Sequence, residues 1–147
     1  ERCGAAKAGG AITAIMTVLS ENDDVDDPVS ELMKSLLDGH IVLSRALADQ
    51  GHFPAIDISR SISRQAEGLL GEHQQRAVLQ TQEWISTYET SRTLIDTGLY
   101  VSGSNNVIDQ AIERHPLISR FRKQSREDHS DLGTTHMSLI SLVSRGT

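Results

Sequence analysis

Residues 28 to 44 have the sequence PVSELMKSLLDGHIVLS, in which a helix pattern is followed directly by a strand pattern. Asp27 and Pro28 suit the N-cap and the first position of a helix. Asp38-Gly39 ends that helix, and the run His40–Ser44 predicts a short buried strand. The apolar residues of the helix recur at the spacing of one helical face, and they are Val29, Leu32, Met33, Leu36 and Leu37.

The flanking stretches continue this alternation. The β-branched, apolar run Ala11–Leu19 predicts a buried strand of a parallel sheet, and its pattern also fits a short buried helix. An acidic loop over residues 21–27 joins it to the helix, and residues 45–50 predict a short helix that ends at Gly51. Strands and helices that alternate in this way predict an α/β fold.

The pattern becomes wholly helical after about residue 66. One long helix is predicted from Glu72 to Asp96, with Gly98 as its terminator. Shorter helices are predicted at Val107–Arg114, Pro116–Gln124 and His136–Ser144, with a polar linker over Ser125–Thr135. We therefore expect an α/β portion over residues 1–66 and a helical domain over residues 67–147.

Composition and charge narrow the class of protein. The 147 residues include 14 Lys and Arg against 20 Asp and Glu, a net charge of −6 that argues against nucleic acid as a partner. The single cysteine, Cys3, cannot form an internal disulfide, which is typical of a reducing compartment. The sequence shows neither a membrane-spanning apolar run nor the layout of a signal peptide. We expect a soluble, intracellular chain.

Taken alone, the residues indicate little chemistry. The phosphate-binding motif GxxxxGKS/T is absent, and the six histidines lack the spacing of a metal site. The aspartates at 23, 24, 26 and 27 lack the glycine and glutamate of a calcium loop. A solvated loop and a surface for a basic partner both remain open for them. Arg60 and Arg64, taken alone, are expected to form surface ion pairs.

Longer sequence motifs in the chain resemble those of a known protein family. The string DGHIVLSR at residues 38–45, with Gly51-His-Phe-Pro-Ala-Ile-Asp57 and Ser61-Ile-Ser-Arg64 after it, resembles the flagellar and type III secretion export ATPases. These enzymes are relatives of the ATP synthase β subunit. Residues 11–28 are similar to the end of the catalytic domain of rotary-type ATPases, and residues 98–112 to the family's helical carboxy-terminal domain. The resemblance covers about residues 1 to 124.

The resemblance implies the C-terminal part of a RecA-like P-loop NTPase domain, followed by a small all-α C-terminal domain. The family's P-loop, its catalytic glutamate and its magnesium-binding acidic strand are expected upstream of Glu1. ATP and Mg²⁺ are therefore the implied cofactors, with their ligands expected outside this chain. The chain by itself is expected to be inactive, as a fragment, a truncated copy or one portion of a longer enzyme.

The resemblance also implies site residues. Arg64 matches the arginine finger that the family supplies to the γ-phosphate in a neighbouring subunit. Phe53 stands where the family usually has tyrosine and, with Pro54 beside it, is expected to contact the adenine; a core aromatic is the alternative for Phe53. Arg60 does not match the finger and is expected at the surface. The stalk-contacting loop of the rotary relatives is matched by Asp23, Asp24 and Asp27.

The implied function is ATP hydrolysis in support of protein export, including the unloading of chaperone–substrate complexes. The implied assembly is a homo-oligomeric ring, a homohexamer, in the cytoplasm and peripheral at the inner membrane. Implied partners are a central stalk protein, a negative regulator, chaperone–substrate complexes and the membrane export gate. The tail after Gln124 favours the flagellar system over the injectisome.

Two alternatives remain open at this point. One is the catalytic subunit of a proton-translocating ATP synthase, against which Asp38-Gly-His40 and the segment Gly98–Ser104 look export-like. The other is a non-catalytic helical module that binds chaperone–cargo complexes.

Overall fold

A computed structural model describes residues 4, 9–19 and 28–144. The helices are α1 (Pro28–Leu36), α2 (Arg45–Asp49), α3 (Ala66–Leu69), α4 (Glu72–Asp96), α5 (Asn106–Arg122) and α6 (Leu132–Ser144), and the strands are β1 (Gly39–Leu43) and β2 (Ile56–Ser63). The chain forms two compact units, residues 1–40 and 41–147.

The first unit confirms the predicted helix and contradicts the predicted strand. Helix α1 begins at Pro28, where the missing N–H of proline costs no helical hydrogen bond. The described run Ala11–Leu19 forms no strand, and Ile15 and Leu19 are 92% and 97% exposed. A buried strand needs a continuous ladder along its edges, and in the described part of this run the Ile12 N–H donates to the Gly4 carbonyl at 3.2 Å without such a ladder following it. The predicted N-cap, Asp27, lies outside the described residues.

Strands β1 and β2 pair in a two-stranded sheet. Strand β1 confirms the prediction at His40–Ser44, but its predicted burial is wrong because Ile41 and Leu43 are more than 70% exposed. The two-stranded ladder leaves that face uncovered in the part of the chain that the structure describes. Strand β2 was not predicted, although Ile56, Ile58 and Ile62 fit the alternation of a strand.

Helices α4, α5 and α6 pack around one apolar core. Its buried members are Trp84, Ile85, Ala111, Ile118 and Leu142, with Tyr88, Phe121 and Val143 packed partly buried against it. Helix α4 has the predicted bounds, and Gly98 adopts the left-handed φ of +69° just after its C-cap. The buried guanidinium of Arg114 lies 5.4 Å from the ring centroid of Trp84, so this core contains a cation–π contact.

Helix α5 corrects the prediction of two helices at Val107–Arg114 and Pro116–Gln124, because it continues through Pro116. A proline inside a helix costs about 3 kcal/mol through its lost hydrogen bond and its steric clash. Residues on both sides of it pack in the core, and burial of Ile118 alone, which is 2% exposed, returns about 1.5–3 kcal/mol. Tertiary packing therefore keeps the helix continuous.

Helix α6 begins at Leu132, four residues before the predicted start at His136, and therefore shortens the predicted linker Ser125–Thr135. The carboxylate of Asp131 caps it, since its Oδ1 accepts the Thr134 N–H at 2.8 Å and its Oδ2 accepts the Thr134 hydroxyl at 2.7 Å. None of the helices in the described ranges is long and apolar enough to cross a membrane.

Candidate functional site

The segment from Gly51 to Asp57, which leads from α2 into the start of β2, contains the two residues expected to contact the adenine. Its backbone turns back on α2, because the N–H groups of Gly51 and His52 donate to the carbonyls of Ala48 and Leu47, both at 2.9 Å. Gly51 has a φ of +66°, a conformation that favours glycine. The Phe53–Pro54 peptide bond is cis.

Phe53 and Pro54 are both exposed at this turn. The Phe53 side chain is 55% exposed, which does not fit the alternative of a core aromatic. An aromatic ring with one face open to solvent can stack that face on a planar ligand. The structure therefore leaves Phe53 accessible for the contact that the resemblance implies.

Both residues line a groove of about 1320 Å³, which we call the Phe53 groove. Its other wall comes from the C-terminal half of α5 and the loop after it, and contributes Arg120, Lys123 and Arg126. The carboxylate of Asp128 also lines the groove, but its Oδ2 already accepts the Ser125 N–H at 2.7 Å. The groove is therefore cationic, although the whole chain carries a charge of −6.

Arg64 lies directly after the last residue of β2, and its side chain is exposed. It does not line the Phe53 groove, so the structure does not bring Arg64 and Phe53 into one pocket. Arg60 is exposed within β2, as expected. The expected stalk-contacting residues Asp23, Asp24 and Asp27 lie outside the described residues.

The described residues do not gather ligands for a metal ion. No group of three or more His, Cys, Asp or Glu side chains is placed for coordination within the described ranges. Mg²⁺ is commonly held by one or two carboxylates together with substrate phosphates and water.

Sequence reasoning missed the polar groups beneath the Phe53 segment. The Arg122 Nη2 donates to the Ile56 carbonyl at 3.0 Å, and the Gln124 N–H donates to the Phe53 carbonyl at 2.9 Å. A signal for Arg122 was present, because it follows the buried Arg114 and Ile118 at i, i+4 spacing on α5. His52 is only 7% exposed, and its Nε2 has no hydrogen-bond partner among the described groups.

Burial and nearby charges favour the neutral form of two histidines, the buried His52 and the half-buried His115. Burial lowers the pKa of His52, and the positive charges of Arg122 and Lys123 and the nearby His115 lower it further. Burial also lowers the pKa of His115, with Glu89 acting in the opposite direction. The His115 ring stacks on Tyr88 with centroids 3.7 Å apart and an interplanar angle of 8°.

Comparison with known proteins matches both parts of the chain. Residues 1–63 match the nucleotide-binding domain of the ATP synthase alpha/beta family, and residues 70–141 match the T3SS EscN ATPase C-terminal domain. The chain belongs to the flagellar and type III secretion export ATPase family. It matches the carboxy-terminal part of these export ATPases, as the resemblance implied, and the expected fold class is confirmed.

Individual export ATPases align over nearly the whole chain. The "Flagellum-specific ATP synthase" of Pseudomonas aeruginosa is 45% identical over 99% of this chain and 33% of its own length. The assembled ATPase EscN of enteropathogenic E. coli superposes with a TM-score of 0.87 at 43% identity, over 92% of this chain and 33% of that one. EscN in complex with its central stalk EscO gives 0.85 at 40% identity, over 97% and 33%. The chain therefore spans about a third of the length of these relatives.

Proposed function

We propose that this chain is the carboxy-terminal portion of an ATPase that hydrolyses ATP to assist flagellar or type III protein export. The observation that carries the proposal is the match to a flagellum-specific ATP synthase at 45% identity over 99% of the chain. This single relative aligns with the residues of both family matches, which supports a portion of an enzyme over a separate helical module. The boundary near residue 66 is proposed on the same grounds, because it falls between the two matched ranges.

Phe53 is proposed to stack on the adenine of ATP, with Pro54 beside it. The exposed Phe53 ring supports this role, since stacking requires only an accessible aromatic face. Loss of the hydroxyl relative to the family's usual tyrosine is expected to cost little. The phosphates and Mg²⁺ are assigned to groups upstream, because the chain encodes no P-loop and gathers no metal ligands in its described part.

Arg64 is proposed to act on the nucleotide of a neighbouring subunit in a homo-oligomeric ring. A guanidinium stabilises the charge that develops on phosphate oxygens during transfer, an effect worth about 10³–10⁵ in rate in other phosphate-cleaving enzymes. Its exposed position beyond β2, outside the Phe53 groove, is compatible with a function in trans. The proposed active site therefore lies between two neighbouring subunits.

The partners and the cellular location are proposed from the family to which the chain is similar. The EscN structure with its central stalk EscO supports a stalk protein as a partner, and Asp23, Asp24 and Asp27 are proposed to contact it. A negative regulator, chaperone–substrate complexes and the membrane export gate are the further proposed partners, with no nucleic acid. The enzyme is proposed to act in the cytoplasm, peripherally at the inner membrane.

The test of this proposal is Arg64→Lys in the full-length enzyme. Lysine keeps the charge but loses the planar fork that holds two phosphate oxygens at once. ATP binding and ring assembly are expected to survive, while turnover falls at least about a hundredfold, which is about 2.7 kcal/mol of transition-state stabilisation. Steady-state hydrolysis, nucleotide binding and sedimentation together measure this.

Arg60→Lys is the matched control and is expected to hydrolyse ATP at the wild-type rate, because Arg60 does not match the finger. Mixing Arg64→Lys subunits with subunits whose P-loop is inactivated is expected to restore part of the activity, since some interfaces then pair an intact pocket with an intact finger. Near wild-type turnover in Arg64→Lys would show that the assignment is wrong.

A further inference from the structure

The Phe53 segment is fixed through its backbone carbonyls. Three of the four carbonyls from Phe53 to Ile56 accept hydrogen bonds from other parts of the second unit. Gln124 N–H donates to Phe53, Ser44 N–H donates to Ala55, and Arg122 Nη2 donates to Ile56, at 2.9, 2.9 and 3.0 Å. Two of these donors are neighbours in the sequence, Arg122 at the end of α5 and Gln124 two residues beyond it, and the one side chain among the three is that of Arg122.

Arg122 is suited to this contact by its surroundings. Its side chain is half-buried on the α5 face that also carries Ile118. Burial lowers the pKa of the guanidinium, and the carboxylates of Asp57 and Glu89 act in the opposite direction, so the group stays charged at neutral pH. A hydrogen bond from a charged donor in a partly desolvated place is stronger than one between neutral groups.

The Phe53 ring is less constrained than the backbone that carries it. The side chain is 55% exposed, so little packing holds the ring in place. The position of the ring therefore depends on the backbone that carries it, and that backbone is held by the end of α5. A ring that must meet a nucleotide base gains affinity when its position is set before binding, because less freedom is lost on binding.

We propose that Arg122 is a positioning residue that fixes the Phe53–Ile56 segment and thereby sets the affinity of the enzyme for the nucleotide base. This rests on the proposed stacking of Phe53 on the adenine. Arg122 does not touch the nucleotide in this proposal. It acts on the base through Phe53 and leaves the binding of the phosphates unchanged.

The experiment compares two competitive inhibitors of ATP hydrolysis by the full-length enzyme. ADP carries the adenine, whereas inorganic tripolyphosphate carries only phosphates. Arg122→Gln is expected to raise the inhibition constant of ADP about fivefold, and to leave that of tripolyphosphate within about twofold. Hydrogen exchange of the amides of residues 52–57 in the nucleotide-free enzyme is expected to become faster.

Conservative and surface variants serve as controls. Arg122→Lys keeps a charged donor on a long side chain, and is expected to recover most of the ADP affinity and of the exchange protection. Arg76→Gln removes an arginine whose only described ion pair is with Glu72 on the surface of α4, at 3.5 Å, and is expected to change neither constant. If Arg122→Gln fails to fold, Arg122→Lys and the exchange measurement still test the hydrogen bond.

The Phe53→Ala variant separates this inference from the proposed function. If Phe53→Ala weakens ADP but Arg122→Gln does not, or if Arg122→Gln weakens both inhibitors equally, the positioning role is wrong and the stacking role stands. If Phe53→Ala leaves ADP binding unchanged, the stacking role itself is wrong. In the expected case, the double variant binds ADP no more weakly than Phe53→Ala alone, because both changes act on one contact.

Discussion

His52 shows how a single buried residue couples the Phe53 segment to pH. Its side chain is 7% exposed, with a ring nitrogen that has no partner among the described groups. The groups that face it, Arg122, Lys123 and His115, are cationic or can become so. Protonation would place a further positive charge in a site that already disfavours one, and therefore the folded state holds His52 neutral.

We predict that the protein loses stability as the pH falls below about 6.5, the ordinary pKa of histidine. The pKa of His52 is lowered in the folded state, so the unfolded chain binds protons more readily and acid favours unfolding. The stabilisation is present above that pH and disappears as the pH falls through the folded pKa. Thermal unfolding between about pH 7.5 and 5.5 measures this, and His52→Leu is expected to flatten the dependence.

The exposed His129, changed to glutamine, is the control for this measurement and is expected to keep the wild-type slope. His115 retains its own lowered pKa, so some dependence persists in His52→Leu. The change in slope is expected to reach no more than about one proton per molecule. An unchanged slope in His52→Leu would show that His52 titrates alike in the folded and unfolded states.

At the scale of helices and strands, the sequence pattern predicted correctly those helix ends that are determined by neighbouring residues. The bounds of α4 follow from a long uninterrupted helix pattern and from Gly98, which adopts a conformation few other residues tolerate. The first turn of α1 at Pro28 was predictable for the same reason. In the candidate site, the sequence motif Gly51–Asp57 indicated the segment whose Phe53 the structure leaves exposed beside a groove.

The remaining elements depend on contacts that local pattern does not contain. Pro116 indicates a helix start when read locally, whereas packing in the core, with Ile118 and Phe121 after the proline, keeps α5 continuous. The run Ala11–Leu19 has a strand composition, but pairing has to come from elsewhere. Arg122 acts on a carbonyl 66 positions away in the sequence, which no spacing rule reaches.

The start of α5 gives a prediction at this scale. The Asn105 Oδ1 accepts the N–H groups of Val107 and Ile108 at 2.9 and 3.4 Å, so Asn105 is the N-cap. Asn105→Ala is expected to reduce the free energy of unfolding by about 1 kcal/mol, and Asn105→Asp to retain it. Urea denaturation measures both. Asn106→Ala, one residue into the helix, is the control, and a loss as large as that of Asn105→Ala would contradict the capping role.

At the scale of the molecule, α5 connects the apolar core with the candidate site. Ala111 and Ile118 are buried between α4 and α6, while Arg122 and the backbone of Gln124 hold the segment that carries Phe53. A change in the packing of the helical core is therefore expected to reach the Phe53 segment through one rigid element. This continuity lies within the second unit, residues 41–147.

The last prediction concerns ATP binding by these 147 residues alone. Affinity for a nucleoside triphosphate comes mainly from its phosphates, which a glycine-rich loop and a helix N-terminus bind in P-loop enzymes. This chain encodes no such loop, so stacking on Phe53 is the contact it retains. Calorimetry is therefore expected to give a Kd for ATP weaker than about 10 μM, or about −7 kcal/mol, and similar values for ATP and adenosine. The full-length enzyme, measured beside it, is expected to bind ATP more tightly than adenosine. A Kd tighter than about 10 μM for the chain alone would mean that cations such as those of the Phe53 groove bind the phosphates themselves.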